Sequence, residues 1–181
     1  MDPSYYRSLV GSLLYLTASK LDLMFATSVL SRHMQSPGQV HLRATKRVLR
    51  YVKGTHDFGI LYTSDKNGYL QGFSDSDWAG CPDDMKSTTG YVFSFGSGVF
   101  SWVSRKQDVV AQSIVESEHI AAANQAVCLR KVFADLSQVQ HCATIIQVDN
   151  KSAIAIAKNP VQHGRTKHIN VKFHAIRQAE K

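Results

Sequence analysis

Three carboxylates in this 181-residue chain are spaced so that they could share divalent cations: Asp75 near the end of YLQGFSDSD (69–77), Glu118 within VESEH (115–119), and Asp149 at the end of TIIQVD (144–149). Singly, each has an ordinary structural use as a turn residue, a helix cap or a solvated side chain. Together they form a hard-cation set, since oxygen ligands suit Mg²⁺ or Mn²⁺. Two such ions about 4 Å apart can activate a water and stabilise the leaving oxygen of a phosphodiester. Asp77 competes with Asp75 for the first position, although it lies beyond the expected strand end. Glu116 competes with Glu118, but two helix positions separate residues by about 200°, so only one of them can face a site.

A second constellation is basic. Arg43, Lys46, Arg47, Arg50 and Lys53 recur at spacings of three and four and so share one face of a helix. Such a stripe can lie along a phosphate backbone, where each neutralised phosphate releases a counterion. It can equally be a solvated helix face, although no acidic residue offsets it at i+4. Positive charge is concentrated in the same part of the chain: residues 1–66 hold 9 Lys+Arg against 4 Asp+Glu, and residues 67–181 hold 12 against 10. The net charge of +7 suits a polyanionic partner, nucleic acid before membrane.

The elements that must position these residues fall into two groups. Residues 4–17 and 21–34 carry apolar residues at mixed three and four spacing, as helices packed on both sides would, and SPG at 36–38 breaks the chain before a third helix from about Val40 to Val52. From residue 69 the period changes. YLQGFSDSD, TTGYVFSF (88–95) and GVFSWVS (98–104) are short aromatic and β-branched runs between turns, and they predict three consecutive antiparallel strands. A long helix follows over about Ser113–Leu136, with Ser113 and Glu116 spaced as a capping box. TIIQVD is almost wholly apolar, which predicts a strand in the middle of a sheet. Helices are expected over 150–160, stopped by Pro160, and over 165–181. If the first and fourth strands are neighbours, as a crossover through the long helix allows, Asp75 and Asp149 lie side by side with Glu118 above them.

Bulk properties narrow the class. A 44% hydrophobic content supports a real core, and three cysteines without a C-x-x-C pair argue against a disulfide framework or a thiolate zinc site. With no membrane-length apolar run and no secretory leader, the expected location is intracellular, cytoplasmic or nuclear, with no membrane partner.

Several motifs carry a specific resemblance. GFSDSDWAG, KSTTGYVFSFGSGVFSWVSRKQ, the V-E-S-E-H-I-A-A-A run and VDNKSAIAIAKNP resemble the ribonuclease H domain of copia-like retrotransposon Pol polyproteins. YRSLVGSLLYLT and HLRATKRVLRYVKGT resemble the end of the reverse transcriptase that precedes it. The resemblance implies an α/β, ribonuclease H-like mixed sheet (three antiparallel strands, then helix, parallel strand and helix) over 67–181, behind a helical reverse transcriptase tail over 1–66. It implies two-metal hydrolysis of the RNA strand of an RNA–DNA hybrid, with Asp75, Glu118 and Asp149 as catalytic metal ligands, Mg²⁺ or Mn²⁺ as cofactor, and the hybrid and the reverse transcriptase domain as partners. The family pattern continues through a further strand and a last helix with a fourth aspartate, neither found before Lys181. The expectation is therefore an incomplete metal site and impaired hydrolysis. The alternatives are an inactive nucleic-acid-binding module or a transposon remnant.

Overall fold

The computed structural model describes residues 2–64, 68–77, 86–107 and 114–149. The chain divides into two compact units, Met1–Leu61 and Tyr62–Lys181. The helices expected over 150–160 and 165–181, and the Ser113 cap, lie outside the described residues.

The first unit is helical. α1 (Pro3–Leu16) begins with Pro at its first position, and the Asp2 carboxylate accepts the Ser4 N–H at 2.9 Å. These are two standard ways of starting a helix whose first N–H groups lack partners. Tyr6, Val10 and Leu13, spaced four and three apart, are buried with Leu30; Val48, Leu49 and Val52 pack against them. The Tyr6 hydroxyl donates to the Leu30 carbonyl at 2.8 Å, which satisfies a buried polar group on each side. The opposite side of α1 is open within this unit, with Tyr15 83% exposed, so packing on both sides is not what the described residues show. The helix expected over 21–34 is shorter and starts as a turn of 3₁₀ helix at Leu21–Leu23; α2 then covers Met24–Ser31.

α3 (Gln39–Gly54) starts after Gly38 in an extended conformation. There the Gly38 N–H donates to Nδ1 of His41 at 2.9 Å, the side-chain half of a capping box, and His33 stacks on His41 at 3.9 Å. At its far end the Lys20 ammonium donates to the Thr55 and Phe58 carbonyls at 2.8 and 2.9 Å, a cation where the helix exposes unpaired acceptors.

The second unit is a four-stranded mixed sheet with one long helix. β1 (Leu70–Asp77), β2 (Thr88–Phe95) and β3 (Gly98–Lys106) form an antiparallel meander; α4 (Ile114–Asp135) then crosses over to β4 (Ile145–Val148), which pairs parallel to β1. The strand order is β3-β2-β1-β4. The β2–β3 turn holds Gly96 at φ 58°, a left-handed conformation that glycine adopts without a Cβ penalty. Leu70, Phe93 and Ala126 are buried together, with Tyr91, Phe95, Leu129, Phe133 and Ile146 around them, so α4 covers one face of the sheet. The apolar run expected in mid-sheet is placed differently. Among the described residues β4 has a neighbour on one side only, and Ile145 is 60% exposed. An all-apolar sequence reports apolar surroundings on both faces but not how many strands lie beside it.

α4 ends in a Schellman arrangement. The Gln138 N–H reaches the Phe133 carbonyl at 2.7 Å and the Ser137 N–H reaches Ala134 at 2.9 Å, which forces Ser137 to φ 58°. A serine there carries the steric cost that glycine avoids. Ser137→Gly is therefore expected to stabilise this unit by about 0.5–1 kcal/mol, read as a rise of a few degrees in thermal midpoint; an unchanged or lower midpoint would contradict this.

Candidate active site

The parallel pairing of β1 with β4 sets the geometry of the carboxylates. Gln71 is level with Ile145, Gly72 with Ile146, Phe73 with Gln147 and Ser74 with Val148. One step further along both strands come Asp75 and Asp149. Asp149 is the first residue past the end of β4, so the paired register stops one step short of the two aspartates. Strand alternation puts Asp75 on the face opposite Leu70, Gly72 and Ser74, and both aspartates are exposed. Ser74, which precedes Asp75, is buried, and its hydroxyl donates weakly to the Gly90 carbonyl at 3.4 Å.

Glu118 is placed by the direction of α4. Near the helix end, Phe133 stacks on Phe95 with ring centroids 4.6 Å apart, and Phe95 is level with Leu70 at the start of β1. Nearer the helix start, the Gln125 amide reaches the Ser101 hydroxyl at 3.4 Å, and Ser101 is level, through Phe93, with Gly72. α4 thus runs antiparallel to β1, and its first turns, which carry Glu116 and Glu118, lie toward the strand end that carries Asp75. The register thus leads to Asp75 and Asp149 as the next residues on β1 and after β4, and the Glu118 backbone lies toward the same end of the sheet. Asp75 sits on the face of the sheet that α4 leaves uncovered. Among the described residues, no cluster of three His, Cys, Asp or Glu side chains is gathered to hold a metal ion. Asp77 continues β1 two residues beyond Asp75, level with Thr88.

One positioning device was not singled out from sequence. Arg130, on the buried side of α4 between Leu129 and Phe133, donates from Nη1 to the Cys142 carbonyl at 2.7 Å and the Thr144 hydroxyl at 3.1 Å. Its Nη2 reaches the Gln140 carbonyl at 2.6 Å. The Gln140 side-chain oxygen in turn accepts the Leu70 N–H at 3.1 Å. The guanidinium thus ties α4 to the segment entering β4, and Gln140 ties that segment to the first residue of β1. This network sets how far β1 and β4 have advanced when they reach Asp75 and Asp149. An arginine inside an otherwise apolar helical stripe was the available signal.

The basic residues are on the other unit. Arg43, Lys46, Arg47, Arg50 and Lys53 are all exposed on α3, opposite buried Thr45 and the partly buried Val48, Leu49 and Val52.

The chain holds a mixed α/β unit with Asp75 on β1 and Asp149 just past β4, preceded in sequence by a helical unit with an exposed basic face on α3. Comparison with known proteins gives the lineage: over about 97% of its length the chain is homologous to the Pol polyproteins of copia-type retrotransposons, and it derives from one. It is 41% identical over 180 residues to the retrovirus-related Pol polyprotein from transposon RE2 of Arabidopsis thaliana, covering 97% of this chain and 12% of that one. It is 38% identical over 177 residues to the corresponding polyprotein from transposon TNT 1-94 of Nicotiana tabacum, covering 96% of this chain and 13% of that one. The chain thus spans about an eighth of these relatives. It is also 41% identical over 128 residues to secreted RxLR effector protein 161 of Plasmopara viticola, 68% of this chain and 90% of that one. No family model and no solved structure matches it. No helix among the described residues is long and apolar enough to cross a membrane.

Proposed function

We propose that residues 67–181 are a ribonuclease H-type domain that hydrolyses the RNA strand of RNA–DNA hybrids, and that residues 1–66 are the end of the reverse transcriptase preceding it in a Pol polyprotein. The observation that supports this reading is the parallel register of β1 and β4, Gln71–Ser74 against Ile145–Val148, after which the next residues of the two segments are Asp75 and Asp149. Two exposed carboxylates this close repel one another, and a divalent cation with oxygen ligands at about 2.0–2.1 Å relieves that repulsion. Glu118, in the first turns of α4, is the third ligand in this reading. Homology to Pol polyproteins supports it independently, because reverse transcription leaves RNA–DNA hybrids to be degraded. Mg²⁺ or Mn²⁺, when bound, supplies the activated water and the charge for the leaving oxygen. The protein's part is to hold the ligands in place through β1, β4 and the Arg130–Gln140 network.

The test is incubation of the purified chain with an end-labelled RNA–DNA hybrid. Cleavage confined to the RNA strand, present with Mg²⁺ or Mn²⁺ and lost on chelation, is the expected result. A folded chain that leaves the hybrid intact with both metals, or cuts without metal, would sink the reading.

A further inference from the structure

Nothing among the described residues requires position 90 to be glycine. Glycines stand inside β1, β2 and β3, at positions 72, 90 and 98. A Cβ on Gly72 would press into the Phe93 ring and one on Gly98 into the Tyr62 ring, so packing excludes a side chain at both. Gly90 differs from them. Its φ lies outside the left-handed region, which among the described glycines only Gly96 occupies. A Cβ there would meet the Asp75 and Val103 carbonyl oxygens, each at 3.7 Å, an ordinary contact distance. The irregularity in the pairing of β2 with β3 falls between Phe93 and Ser94, further along the strand. β2 lies between β3 and β1, and in such a central strand a glycine costs backbone entropy and contributes no packing. A strand glycine that neither conformation nor packing requires marks a place where a ligand approaches the backbone closely.

The neighbours of Gly90 say which ligand. Gly90 is level with Asp75 on β1 and with Ser104 on β3, and residues directly opposite one another share a face of the sheet. That face is the one away from α4. The row before it on the same face is Phe73, Val92 and Trp102, three bulky side chains. The absent side chain therefore leaves a notch one residue wide, with a carboxylate on one side, a hydroxyl on the other and an apolar wall along it. Gly90 is one strand, about 4.8 Å, from Asp75. If a phosphodiester is cut at Asp75, the group over Gly90 is the one bonded to the scissile phosphate. We infer that Gly90 is a substrate-contact position, over which a sugar of the cleaved RNA strand lies while its phosphate is held at Asp75. This rests on the nuclease reading of Asp75. A side chain at position 90 would lift the strand off the sheet and away from the carboxylate.

The experiment compares the full chain with Gly90→Ala and Gly90→Val in thermal denaturation, in binding of a fluorescent RNA–DNA hybrid in EDTA, and in cleavage of that hybrid with Mn²⁺. Because a Cβ fits the strand, both variants should keep the thermal midpoint or raise it by a few degrees. Both should nevertheless bind the hybrid more weakly, by about fivefold for alanine and more than about tenfold for valine. KM should rise by the same factor, with kcat within about twofold of the wild type. A lower midpoint in Gly90→Ala would overturn the proposal, since packing within the chain would then account for the glycine. So would unchanged affinity and KM in Gly90→Val. A wild-type chain that binds the hybrid without cutting it would instead remove the nuclease reading, and the binding comparison would still decide whether the substrate lies over Gly90.

Discussion

Asp75→Asn and Asp149→Asn are each expected to lower metal-dependent cleavage of an RNA–DNA hybrid by about two orders of magnitude or more. Asparagine keeps the size and one oxygen of aspartate but removes the charge that holds a divalent cation. Both side chains are exposed, so neither change should cost more than about 0.5 kcal/mol of stability. A loss of activity could then not be blamed on unfolding. Because the two residues share one site, the double variant should be scarcely worse than either single one, which is the behaviour of groups acting as a unit. Asp135→Asn, at the other end of α4, should leave cleavage unchanged. Calorimetric titration with Mn²⁺ gives a second readout: the heat of binding should vanish in both strand variants and persist in the control. Full activity in either strand variant would remove that residue from the site.

Much of this arrangement was legible because the period of the sequence changes where the fold changes. Alternation in YLQGFSDSD and TTGYVFSF located β1 and β2 to within a residue, and a crossover through a long helix allowed β1 and β4 to be the neighbours that the structure shows. With that pairing, counting residues leads from Ser74 and Val148 to Asp75 and Asp149 as the next residues. Other features depend on surroundings that no local pattern records. Leu14, Tyr15 and Tyr5 look like core residues of α1 yet face outward within their unit. Nothing in LDLMFATSVLSRHM shows that its first residues form a 3₁₀ turn and that α2 stops at Ser31. Arg130 reads as one more basic residue on a helix until the carbonyls of Gln140 and Cys142 are known to converge on it. Polar networks of this kind join residues by tertiary placement, and periodicity does not report that.

The packing beneath β1 yields the other large expected effect. Gly72 is level with Phe93 on β2, and a Cβ at position 72 would lie 2.6 Å from Cε1 of the Phe93 ring, which is fully buried. The ring lies edge-to-face with Tyr91 at 5.7 Å and has no open side to move into. Gly72→Ala should therefore cost about 2–3 kcal/mol through forced displacement of the ring or of β1, even though alanine is otherwise preferred to glycine within a strand. Phe93→Ala alone should cost about 3–5 kcal/mol. In that background the added methyl has room, so Gly72→Ala/Phe93→Ala should be no less stable than Phe93→Ala. The pair would then show a coupling of about 2 kcal/mol or more in chemical denaturation, as contacting residues do. Simple additivity would mean that the ring is not what excludes a side chain at position 72. The link to function is direct, because Asp75 lies three residues along the same strand. If β1 shifts to admit a methyl group, its register against β4 shifts with it, and Gly72→Ala should lose metal-dependent cleavage even at temperatures where the unit stays folded.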